Sequence, residues 1–81
     1  TPRAHPPLRD TLRWTEEEFL GHFRGTPVRR LGLARWRRNA LTVLGNVGGA
    51  EDLPAVESLR QDPDPVVAEH AAWAAARLRG R

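Results

Sequence analysis

The sequence predicts an all-α fold made of stacked helical hairpins, and three observations predict it. Two long stretches, residues 33–44 and 65–79, carry apolar or small residues at helical spacing. Two helix starts are spelled out, Thr15-Glu16-Glu17-Glu18 and Asp64-Pro65. The second and fourth predicted helices also align at an offset of 31 residues, with Asn39 to Gly45 lying over His70 to Ala76. Ala40/Ala71 and Val43/Ala74 then match as core positions, and Gly45 meets the small Ala76.

Taken in order, residues 1–13, with three prolines among the first seven (TPRAHPP), read as an extended linker or arm. Residues 14–32 form a capped helix plus a basic connection. Thr15 caps, Glu18 completes the capping box, and Trp14 with Phe19 has the spacing of a hydrophobic staple. Glu16, Glu17 and Glu18 stand where the helix dipole favours anions, which gives the acidic triplet a structural role. The helix is expected over 16–24 with Gly25 as its stop, followed by GTPVRRLG with one helical turn after Pro27.

Residues 33–81 form the repeat region. In the helix over 33–44, Leu33, Trp36, Ala40, Leu41, Val43 and Leu44 share a broad apolar face. Arg35, Arg38, Asn39 and Thr42 take the other, and Arg37 intrudes on the apolar arc, where its stem allows it to snorkel outward. Gly45-Asn46 and Gly48-Gly49 are expected to end this helix. A third helix begins near Glu51 or Asp52, with Pro54 in its first turn and Leu53, Val56 and Leu59 inward. The fourth runs from Pro65 to about Arg79, with Val67, Ala71, Ala74 and Leu78 in a stripe. Its further alanines, Ala68, Ala72, Ala75 and Ala76, suit an inner helix with neighbours on two sides.

The chain has 81 residues, no cysteine and no methionine. A domain of this size buries only about 60–65% of its unfolded surface, so its core is thin. Without cysteine it has no disulfide and no thiolate to hold zinc or an iron–sulfur cluster. No apolar run approaches the roughly 20 residues of a membrane span, and no signal-peptide pattern is visible. The start at Thr1-Pro2 points to a piece of a larger protein. The net charge is +3 and the pI about 11.3. Every lysine-or-arginine position is arginine, so nothing titrates between histidine and arginine and the pI overstates the basicity. Position is more informative. Residues 1–40 hold nine arginines against four acids, and residues 41–81 hold four against six. The imbalance points a polyanion, nucleic acid first, at the first half.

The candidate nucleic-acid contacts are Arg29, Arg30, Arg35 and Arg38, with Asn39 beside them; guanidinium forks suit phosphate and stack on bases. The plainer reading is a solvated face that pairs with Glu16, Glu17 and Glu18. His70, Trp73 and Arg77 form a second strip that could stack on nucleotides, against the plainer reading of packing on the preceding repeat, which the residues favour. His5, His22 and His70 lack ligand spacing, Ser58 lacks a base partner, and the glycines follow a helix, so no phosphate loop is indicated.

The Asp-Pro start followed by VVAEHAAWAAARL resembles HEAT repeats, about one and a half of which the chain would supply, with an exposed apolar patch where a neighbour docks. FRGTPVRR at residues 23–30, Trp36 with Arg38-Asn39 and Gly45-Asn46, and His70-Ala71-Ala72-Trp73-Ala74 together resemble the C-terminal region of tRNA epoxyqueuosine reductases over residues 14–79. One departure is Arg37, where that family usually has an apolar residue. The resemblance implies a cytoplasmic oxidoreductase that reduces epoxyqueuosine at the tRNA wobble position, with cobalamin and two [4Fe–4S] clusters held upstream and none in this chain. It implies as partners the tRNA anticodon stem-loop and the upstream catalytic domain, and no membrane. The rivals are a HEAT-type protein-interaction module and a DNA-binding helix-turn-helix around residues 61–65, whose second helix is too rich in alanine to read a groove.

Overall fold

A computed structural model describes residues 6–80. Among these, all regular structure is helical. The α-helices are α1 (Leu8–Thr11), α2 (Glu16–His22), α3 (Leu33–Val47), α4 (Leu53–Ser58) and α5 (Pro65–Arg79), with 3-10 turns at Pro27–Leu31, Ala50–Asp52 and Leu59–Gln61. The molecule is a slab, 38 × 33 × 16 Å between Cα extremes.

Two helices carry the architecture. α5 lies against α3 on one side and against α4 and the Leu59–Gln61 turn on another, while α1 bridges α3 and α4. The shared core holds Leu12, Leu41, Leu44, Val56, Leu59, Val67 and Leu78. Ala40, Ala55, Ala71, Ala74 and Ala75 fill the space between them and let the helices approach closely. α5 starts as its sequence dictates. Asp64 Oδ1 accepts from the amides of Val66 (2.9 Å) and Val67 (3.4 Å), and Pro65 occupies the first turn, where no amide is needed. α2 starts on the expected capping box, with Glu18 N donating to Thr15 Oγ1 (3.1 Å) and Thr15 N to Glu18 Oε1 (2.9 Å).

Four expectations need correction. Residues 8–11, read as part of a linker, form α1, and its end enters the core; Leu12 is 0% exposed and Thr11 is buried. Prolines at 6 and 7 precede the helix and do not extend through it. Residues 1–5 of the expected arm, with His5, lie outside the described residues. The Trp14 ring pairs with His22, Phe23 and Trp36 at 4.7, 5.9 and 6.3 Å, so it anchors the end of α2 and a neighbouring helix more than a staple at its start. α3 runs through Gly45-Asn46 to Val47, because Asn46 Nδ2 donates back to Thr42 O (3.0 Å) and Gly45 serves packing, not termination.

The fourth correction concerns the 31-residue alignment. Ala40 and Ala71 are both buried, but Val43 is 47% exposed where Ala74 is 0% exposed. Gly45 is buried where Ala76 is exposed. α5 is enclosed on two sides and α3 on one, so equal spacing does not give equal environments. Ala72 and Ala76 accordingly remain exposed, leaving the outer side of α5 open.

Arg37 has a defined place. Its guanidinium donates from Nη1 to Asp62 Oδ2 (3.0 Å) and from Nη2 to Trp14 O (2.9 Å). It thus ties α3 to the loop before α5 and to Trp14, the residue before the N-cap of α2. Asp62 is held from the other side by the amide of Asp64, 2.8 Å from its Oδ1.

Candidate nucleic-acid interface

The basic connection is shaped by its own residues. The α2 helix ends at His22, and Gly25 (φ +80°) turns the chain in a conformation that L side chains rarely adopt. Thr26 Oγ1 donates to Phe23 O (2.8 Å), and Pro27 opens the 3-10 turn Pro27–Leu31. That turn presents Arg29 and Arg30 to solvent. Gly32 (φ +89°) then opens α3, and no side chain caps it. No acid stands in that first turn, which holds Arg35.

The surface around these arginines is concave. One open depression of about 760 Å³ is lined by Leu20, Gly25, Thr26, Pro27, Arg29 and Arg30. A second, about 670 Å³, shares Pro27 and Arg30 with it and adds Arg35. A third, about 490 Å³, shares Leu20 and Arg29 and adds Arg24, Glu16 and Glu17. Arg24, Arg29, Arg30 and Arg35 thus follow one another along connected hollows. None of the four has a carboxylate within 4.0 Å among the described residues, although Glu16 and Glu17 line one of the hollows. Arg9, Arg37, Arg60 and Arg79 are instead committed to ion pairs with Asp52, Asp62, Glu57 and Glu57.

Of the sequence-derived candidates, Arg29, Arg30 and Arg35 come together. Arg38 stands one turn further along α3 and is half-buried, with its Nε buried and unpartnered; Asn39 is exposed beside it. Neither lines the hollows. Arg24 was missed: it lies inside the FRG triplet but was assigned to the first helix, and only the chain reversal at Gly25 brings it to Arg29.

The strip on α5 is engaged within the fold. The Trp73 ring covers Gly45, where an added Cβ would fall 2.8 Å from Cη2. Arg77 Nε donates to Gly45 O (2.9 Å), and its guanidinium lies 5.4 Å from the Trp73 ring centroid. His70 Nδ1 is 2.8 Å from Val66 O. Trp73 nevertheless keeps 40% of its surface exposed, and Val43 (47%), Val47 (76%) and Val66 (43%) are exposed as well.

The chain supplies no thiolate ligand. Iron–sulfur clusters are held by thiolates, and the chain has no cysteine. Among the described residues no three of His, Cys, Asp or Glu gather as a metal site. No helix among them is long and apolar enough to cross a membrane.

No family profile matches the chain, and no solved structure is significantly similar to it. Curated relatives do match. The chain is 49% identical over 71 residues to an epoxyqueuosine reductase of Xanthomonas campestris, an alignment covering 86% of this chain and 20% of the relative. It is 42% identical over 73 residues to that of Pseudomonas aeruginosa, covering 86% and 20%. It is 37% identical over 76 residues to that of Escherichia coli, covering 94% and 20%. The chain therefore spans about a fifth of the length of these relatives.

Proposed function

We propose, from the premise that this chain is homologous to the C-terminal region of epoxyqueuosine reductases, that it is the RNA-holding module of such an enzyme. In this reading Arg24, Arg29, Arg30 and Arg35 bind the phosphate backbone of a tRNA anticodon stem-loop. The enzyme as a whole would reduce epoxyqueuosine to queuosine at the wobble position, in the cytoplasm, with cobalamin and iron–sulfur clusters carried outside this chain. The α4–α5 hairpin with α3 beside it fits about one and a half HEAT-type repeats.

One observation carries the proposal: four exposed guanidinium groups line connected hollows without carboxylate partners, while four other arginines are spent on ion pairs. Backbone recognition by such a surface is shape-selective and suits RNA. The test is anisotropy of a labelled anticodon stem-loop RNA across a salt series. Each phosphate contact contributes about 0.7–0.9 to the slope of log affinity against log salt. The Arg29→Ala/Arg30→Ala/Arg35→Ala variant is expected to bind more weakly with a slope lower by about two to three. Equal affinity and slope in wild type and variant would refute the reading.

The exposed Val43, Val47, Val66 and Trp73 favour a second role alongside it, docking on the catalytic part of the same enzyme. A module devoted only to protein contacts would instead bind its partner without salt dependence and ignore RNA.

A further inference from the structure

Apart from the arginine-lined hollows, with which it shares no lining residue, a recess of about 270 Å³ is walled by Trp14, His22, Phe23 and Trp36, with Leu8 and Thr11 among its other lining residues. The aromatic rings form a connected set. His22 lies 4.7 Å from Trp14 and 4.8 Å from Phe23, and Phe23 lies 4.9 Å from Trp36, centroid to centroid. Phe19, fully buried, supports Phe23 and Trp36 from behind at 5.2 and 6.1 Å. The Trp36 indole is fixed by its bond from Nε1 to Thr11 Oγ1 (2.8 Å). Trp14 Nε1 and the ring nitrogens of His22 have no hydrogen-bond partner among the described residues. The recess is thus a rigid aromatic surface with spare polar atoms.

We propose that this recess receives one unstacked base from the loop of the bound RNA, whose phosphates lie on Arg24, Arg29, Arg30 and Arg35. This rests on the RNA-binding reading above and adds to it a stacking site. Two features select this guest. Phe23 and Trp36 are each the chain neighbour of an arginine with no carboxylate within 4.0 Å, Arg24 and Arg35, so a strand whose phosphates sit on those arginines has to pass only from one face of the same elements to the next to reach the wall. No carboxylate lines the recess, and an aromatic cage for a cationic guest would meet only repulsion from those arginines. A planar, neutral heterocycle joined to an anion matches both features, and base–aromatic stacking tolerates any base.

The test replaces each loop nucleotide of the stem-loop RNA in turn by an abasic residue and measures binding to the intact chain over a salt series. One position is expected to lose about fivefold or more in affinity when its base is removed, with the salt slope unchanged. His22→Ala, at an exposed side chain, should weaken binding of the intact RNA and shrink the difference between intact and abasic RNA. If every abasic RNA binds as the intact one does, and His22→Ala binds normally, the stacking site is overturned while salt-dependent RNA binding stands. If no RNA binds at any salt concentration, both readings fall together.

Discussion

Arg37→Leu should unfold this protein more readily without loosening its hold on RNA. Arg37 keeps 21% of its side chain exposed and Asp62 8%, and their atoms stand 3.0 Å apart. Removing one partner of a buried pair costs about 3–5 kcal/mol, because the other charge stays buried and loses its partner. Asp62 keeps the amide of Asp64, and Arg37 retains some water contact, so the low end, about 3 kcal/mol, is expected. Trp14 O loses its donor as well. For 81 residues the whole stability is about 4–12 kcal/mol, so the loss is a large share. Urea melts followed by tryptophan fluorescence should show a lower midpoint with an unchanged slope, and the thermal midpoint should fall by about 12–24 °C. Asp62→Asn should destabilise too, and the double variant should cost less than the two singles added, since neither charge is then left alone. Stability changed by less than about 1 kcal/mol, together with weakened RNA binding, would refute the reasoning and put this guanidinium on the ligand.

Other perturbations separate the remaining claims. Leu12→Ala should cost about 2–5 kcal/mol in urea unfolding, because a fully buried leucine leaves a cavity; a linker residue would cost nothing. Gly45→Ala should destabilise by about 1–3 kcal/mol by forcing Trp73 and Arg77 outward, visible as a shift in tryptophan emission. Asp64→Ala should cost about 1 kcal/mol through the lost cap of α5, measured the same way. Arg35→Ala should lower RNA affinity more than Asn39→Ala, with both folding normally by circular dichroism, since only Arg35 lines the hollows.

Local chemistry explains what was legible in advance. The starts of α2 and α5 depend on bonds between residues two or three apart, and their caps form as written. Arg29, Arg30 and Arg35 were identifiable because they crowd a short stretch. Arg24 was not, because it joins them only after Gly25 reverses the chain. Arg37 looked misplaced on an apolar face because its partner, Asp62, is 25 residues away. Gly45 looked like a helix stop because nothing nearby reveals that a tryptophan 28 residues on will cover it.

The amino-acid order alone determined that this chain is helical, where two of its helices begin, and that its positive charge gathers in the first half. Folding decided which arginines remain without carboxylate partners, that Thr11 and Leu12 belong to the interior, and that four aromatic rings wall a recess. The division follows from range. Caps and periodicity are settled within one turn of helix, whereas a side chain's availability depends on what distant segments bring against it.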